Sequence, residues 1–218
     1  MGAIARSAAN LITTSGVVLK GAVNNDSFDN VTAFPSAIGD GITFISSQTA
    51  NDSASISFTS GLTSTYKAYK FVFSSIHART DNVSFQFNLS TDSGSNYNVT
   101  KTSSFFRGYH SETGTDSGIN YQTSNDLAQS TAFQILAGDG GIGNGADESL
   151  SGSLSLFNPS STTYVKHYIS VCNGYDASNY SINHFIAGYG NTTSAVNAVQ
   201  FKMSSGNFDG VIYLYGIK

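Results

Sequence analysis

The stretch Val83-Ser-Phe-Gln-Phe-Asn-Leu-Ser90 decides the fold. Val83, Phe85, Phe87 and Leu89 alternate with Ser84, Gln86 and Asn88, the period-two pattern of a strand with one buried face. Asp92-Ser93-Gly94 follows, a turn in which Asp bonds nearby backbone and Gly takes a positive φ. The same alternation extends outward in both directions. Upstream lie Ala54, Ile56 and Phe58, then Tyr69, Phe71 and Phe73. Downstream, Leu150, Gly152, Leu154 and Leu156 alternate with serines before the Asn158-Pro159 turn. Val165, His167, Ile169 and Val171 form the next expected buried face, and the runs Val196 to Met203 and Val211 to Ile217 close the chain. About nine or ten short strands with no helical period and no βαβ alternation predict an all-β fold. It is expected as an antiparallel β-sandwich of jelly-roll or lectin-like type, with an extended N-terminal arm. The phenylalanines at 71 to 73 and 85 to 87 should face each other across the two sheets, because large side chains are needed to fill that gap. Tyr164, Tyr168, Tyr213 and Tyr215 are expected where a hydroxyl reaches the wet edge.

Composition narrows the function. Charged residues are 11% of the 218 and the formal net charge is -4, so Ser, Thr, Asn and Gly must supply most of the exterior. Ten scattered Lys and Arg make no basic patch, which argues against a nucleic-acid partner. No apolar run approaches the roughly 20 residues of a membrane-spanning helix, and no membrane insertion is expected. The first residues read as neither a secretory signal nor a myristoylation site. The single Cys172 reads as a buried strand residue.

Two regions depart from the strand pattern. Residues 1–41 carry small residues with spaced aliphatics and read as an attachment or oligomerisation arm, leaving residues 42–218 as the sandwich domain. Residues 107–148 are rich in Gly, Ser, Asn and acids and read as a long irregular loop region, the usual seat of specificity on a rigid scaffold. Tyr109, His110, Tyr121, Tyr175 and Tyr180 stand in turn-rich segments beside amide and carboxylate residues, and form the candidate binding surface. The run Asp139 to Glu148 reads as a plain hairpin or loop and no metal is expected; the alternative is a glycine-rich calcium turn with Asp139, Asn144, Asp147 and Glu148 as ligands, which would need six to eight converging oxygens.

Reaction chemistry is thinly represented. His77, His110, His167 and His184 lack metal-ligand spacing, and His167 and His184 read as hydrogen-bonded sheet residues. Asp-Ser-Gly at 92–94 and 116–118 is explained by turn formation, and no nucleophile elbow accompanies it. A non-enzymatic protein without cofactors is expected.

Three runs, Ser55 to Gly61, Leu150 to His167 and Ala187 to Gly210, resemble virion-associated structural proteins of marine tailed phages, of the cyanophage and pelagiphage type. The resemblance spans most of residues 42–218 and implies a virion protein, assembled in the host cytoplasm, that serves as a tail-fibre or appendage tip or as a head decoration. Its implied partners are other virion proteins. A homo-oligomer is expected, and an aliphatic arm that buries its side chains only on association favours a trimer. The alternative is a carbohydrate-binding, receptor-binding module that contacts host surface glycans.

Overall fold

A computed structural model describes residues 41–218; apart from Gly41, the expected arm lies outside the described residues. The described chain is all-β, with twelve strands and no helix. They are β1 (Ile42–Ser53), β2 (Ile56–Phe58), β3 (Ala68–Ala78), β4 (Val83–Ser90), β5 (Lys101–Ser111), β6 (Ser117–Tyr121), β7 (Gln134–Ile142), β8 (Leu150–Phe157), β9 (Lys166–Tyr175), β10 (Tyr180–Gly190), β11 (Ala198–Met203) and β12 (Phe208–Ile217). An eight-stranded sheet runs β1-β12-β3-β8-β9-β10-β5-β6, and a four-stranded sheet runs β2-β11-β4-β7. Every pairing is antiparallel. Two of these strands, β6 and β7, occupy much of the region read as irregular loop. Gly108, Gly118, Gly138, Asp139, Gly140 and Gly141 of this region fall within strands, with Gly138 and Gly141 at positive φ beside the irregular β4–β7 register.

The sheets pack through aromatic rings, because Phe side chains on alternating positions of β3, β4 and β11 all point into the space between them. Phe201 is the hub. Its ring centroid lies 5.2 Å from Phe71 and Phe73, 5.9 Å from Phe85, 6.3 Å from Phe58 and 6.4 Å from Phe87. Phe73 of the large sheet meets Phe85 of the small one edge-on at 5.2 Å, the cross-sheet contact that the alternation predicts.

The buried face of β9 is opposite to the expected one. Lys166, Tyr168, Ser170 and Cys172 are buried, whereas Ile169 and Val171 are 51% and 40% exposed. Hydrophobicity alone favours the reverse. Shape decides otherwise: Tyr168 registers with Gly188 on β10, and Cys172 with Gly152 on β8. A Cβ at Gly188 would lie 2.6 Å from the Tyr168 hydroxyl, and one at Gly152 2.8 Å from the Cys172 sulfur. The two glycines thus clear slots for the larger side chains, and since a one-residue slip turns every side chain over, they fix the whole strand. Tyr168 therefore lies inside, against Phe87 at 5.0 Å, with its hydroxyl donating to Gln134 rather than reaching the wet edge. The polar groups carried inward find partners. Lys166 Nζ donates to the carbonyls of Tyr164 and Thr192, at 2.6 and 3.2 Å, and Ser170 Oγ donates to Ser153 O at 3.0 Å.

Asn88 of β4 is also buried, although its neighbours in the alternation suggest an outward position. Its amide nitrogen donates to Tyr97 O and Thr131 O, while its oxygen accepts from Lys101 Nζ. Lys101 Nζ also donates to Val99 O at 2.8 Å. This lysine is fully buried, and burial pushes its pKa down to about 7.

Two predictions follow from this packing. Removing the hub ring in Phe201→Ala leaves an unfilled cavity and costs about 3–5 kcal/mol, read as a lowered midpoint in chemical denaturation. For Lys101, the unfolded chain keeps the ammonium proton up to about pH 10, so above pH 7 the unfolded state binds more protons and stability rises with pH. Melting temperature should climb between about pH 7 and 8, before the unfolded Cys172 thiol, with an ordinary pKa of about 8.5, is largely ionised. Lys101→Met should flatten that climb; an unchanged slope would exclude Lys101 as its source.

Candidate functional site

The paired hairpins β5–β6 and β9–β10 bring their tips together at one end of the large sheet. Register places Tyr109 opposite Ile182, His110 opposite Ser181 and Ser111 opposite Tyr180, while Tyr175 stands opposite Ser181 on the far side of β10. Each tip is shaped by a short polar side chain. Asp176 Oδ1 accepts from the backbone N–H of Ser178 at 3.0 Å and of Tyr180 at 2.9 Å, folding the β9–β10 turn with Asn179 at φ 64°. Ser111 Oγ accepts from the Asp116 N–H at 3.1 Å in the β5–β6 turn. The tips are tied together by Glu112 N–H to Asn179 O, 3.0 Å, and by the Tyr180 hydroxyl to Asp116 Oδ2, 3.1 Å.

A pocket of about 250 Å³ lies between these tips and the end of β7. Arg107, Tyr109, Asp116, Asp176, Tyr180 and Ile182 form its walls, and Gly140 opens its floor. The Tyr109 and Tyr180 rings meet at 6.0 Å, and the Arg107 guanidinium sits 5.0 Å from the Tyr109 ring centre. Asp176 is 7% exposed; its Oδ2 faces Gly140, where an added Cβ would come within 3.2 Å. The pocket thus offers two carboxylates, two phenol rings and one guanidinium within a small, solvent-open space.

Two more hollows adjoin it. One of about 500 Å³ runs on the other side of β5, lined by Tyr109, His110, Ile119, Asn183 and Phe185 among others. Another of about 340 Å³ is lined by His110, Glu112, Asn173 and Tyr175 with their neighbours. Acidic side chains dominate the electrostatics here. The Asp116 hydrogen bond holds the Tyr180 phenol above its ordinary value, with burial and the charges of Asp116 and Asp176 adding to it. Burial raises the Tyr175 phenol, as do the charges of Glu112, Asp147 and Glu148.

Four of the five residues singled out from sequence, Tyr109, His110, Tyr175 and Tyr180, therefore line adjoining hollows. They do so from strands rather than from loops. Tyr121 does not join them; it ends β6 opposite Phe106, and its hydroxyl donates to Asp126 at 2.6 Å.

Two of the four suggested calcium ligands, Asp139 and Glu148, are engaged elsewhere. Asp139 lies inside, with Oδ1 2.9 Å from His184 Nε2 and Oδ2 2.9 Å from Arg107 Nη1. Glu148 turns back onto its own loop and accepts from the Gly145 N–H. Among the described residues, no three His, Cys, Asp or Glu side chains are grouped so as to hold a metal ion.

The Arg107–Asp139–His184 cluster supports the pocket from below. Burial pushes the Asp139 carboxyl upward, but the hydrogen bond and charge of His184, together with Arg107, outweigh it and hold the group below the ordinary carboxylate value. This fixes Arg107 against Tyr109. Sequence reasoning missed Arg107, Asp116, Gly140 and Asp176 as pocket residues. Asp176-Ala-Ser-Asn179 carries a turn signature, but the Arg107–Asp139 pairing joins two sheets across 32 residues and leaves no local trace.

No family model matches the chain, and no curated protein or solved structure matches it either.

Asp139→Asn leaves Arg107 without its buried counter-charge, and should cost about 3–5 kcal/mol at neutral pH. Because the folded carboxyl titrates low, that contribution is present at neutral pH and fades as pH falls through the folded value. Urea midpoints of wild type and variant should therefore converge in acid; a variant as stable as wild type at pH 7 would remove the pair from the account.

Proposed function

We propose that this chain is a non-enzymatic virion structural protein that presents a lectin-like β-sandwich, and that the β5–β6 and β9–β10 end contacts glycans on a host surface. The virion setting rests on the resemblance of the strand runs to virion-associated proteins of marine tailed phages. The glycan contact rests on one observation: Tyr109 and Tyr180 converge with Asp116, Asp176 and Arg107 around a solvent-open pocket whose polar groups are already oriented by hydrogen bonds. Sugars present apolar C–H faces that lie on aromatic rings, and hydroxyls that bridge carboxylates and guanidinium groups. Orientation in advance lowers the ordering cost of binding.

Two further features favour binding over catalysis. His184, beneath the pocket, is buried and engaged by Asp139, and Cys172 is buried with its thiol pushed up to about 12. Neither is placed to act on a bound molecule.

A glycan array probed with the full chain should identify a ligand, and Tyr180→Ala should weaken that binding about tenfold or more, the scale of one lost aromatic contact. Gly140→Leu, which fills the floor of the pocket, should abolish it while leaving the circular dichroism spectrum intact. Uniform blanks on the array, or binding indifferent to both substitutions, would refute the glycan reading.

A further inference from the structure

The outer face of the eight-stranded sheet has the character of a contact surface. The turning-over of β9 sends Ile169 and Val171 outward, and Val171 joins a row that crosses the sheet through Val72, Ser153, Val171, Phe185, Phe106 and Tyr121, with Ile169 in the next row. Phe106 and Phe185 stack at 4.9 Å with an interplanar angle of 8°, making a flat aromatic tile. Phe106 is 42% exposed, Tyr121 51% and Ile119 82%. On five adjacent strands, β8, β9, β10, β5 and β6, no outward position carries Asp, Glu, Lys or Arg. Even in a chain with 11% charged residues this is a marked exclusion, because Lys101, Arg107 and Lys166 of the same strands all point to the inner side. Beside Phe185, the Asn183 side-chain oxygen is buried without a hydrogen-bond partner, an acceptor that contact with another molecule would satisfy.

We infer that this face is the interface between two copies of the chain, stacked outer face to outer face about a two-fold axis. Size fits this occupant. Eight strands spaced ~4.8 Å apart span ~34 Å, and three outward rows ~7 Å apart cover ~20 Å, so each copy offers ~700 Å². That is close to the ~800 Å² per partner of a stable interface. Charge fits as well. Across those three rows Lys70 of β3 is the one charged side chain, so the face meets its own image with little like-charge repulsion, whereas a surface meant for an oppositely charged partner would carry several charges of one sign. A two-fold contact is self-complementary, so the apolar row of one copy covers that of the other. A row of exposed aromatic and aliphatic side chains across a sheet otherwise marks an association site.

Sedimentation of the full chain at micromolar concentration should give the mass of a dimer. Val171→Lys places a charge at the centre of the face and should yield a monomer. Because that change also removes an apolar strand residue, Ser153→Lys, which keeps every apolar side chain and sits between Val72 and Val171, serves as the second variant and should weaken the dimer at least tenfold. Tyr180→Ala, on the inner side of β10, should leave the dimer intact, which separates this result from the glycan reading. A monomeric or trimeric wild type, or a dimer that survives both lysine variants, would overturn the inference. So would a monomer that dimerises only after residues 1–40 are cleaved, which would identify that segment as the occupant.

Discussion

A sheet of eight strands is stacked on a sheet of four, and this mismatch governs the described structure. The aromatic layer around Phe201 holds the two together where they overlap. Among the described residues, no strand covers the inner side of the large sheet beyond the last strand of the small sheet, β7. Apolar side chains give way there to Arg107, Tyr109 and Asp116, and the pocket opens. The buried ion pairs of Asp139 lie on this boundary, tying β7 of one sheet to β5 and β10 of the other. The site is thus a product of unequal sheet widths as much as of the residues that line it.

Most of the architecture was legible in the sequence because one physical signal dominates it. Alternation in β3, β4, β8 and β12 identifies which residues are inside, and the Phe73–Phe85 contact follows from it directly. The signal fails at β9, where hydrophobicity and shape disagree. Ile169 and Val171 are the more apolar set, but Tyr168 and Cys172 fit against Gly188 and Gly152. A glycine on one strand selecting a bulky neighbour on the next is a pairing effect, and a pattern read along one strand at a time cannot contain it. The segment 107–148 was misjudged for a related reason. Gly-rich, polar composition marks loops on average, yet here it supplies β6 and the bulged strand β7.

The candidate site was half legible. Tyrosines beside short polar residues pointed to strands whose ends carry the adjoining hollows, because such residues shape hairpin tips. The residues that organise the pocket were hidden. Arg107 is an ordinary strand residue until Asp139 arrives from the other sheet, and Gly140 gains meaning only from the Asp176 carboxylate facing it. Both depend on long-range geometry that a one-dimensional pattern lacks.

The placement of Cys172 has a practical corollary. It is the sole cysteine of the chain, fully buried against Gly152, with a thiol that stays protonated far beyond neutral pH. Maleimides and spin labels applied to the folded protein therefore meet a silent background. A cysteine introduced at any exposed position becomes a unique attachment point, and distances across an assembly can be measured without first stripping the native residue from the sequence.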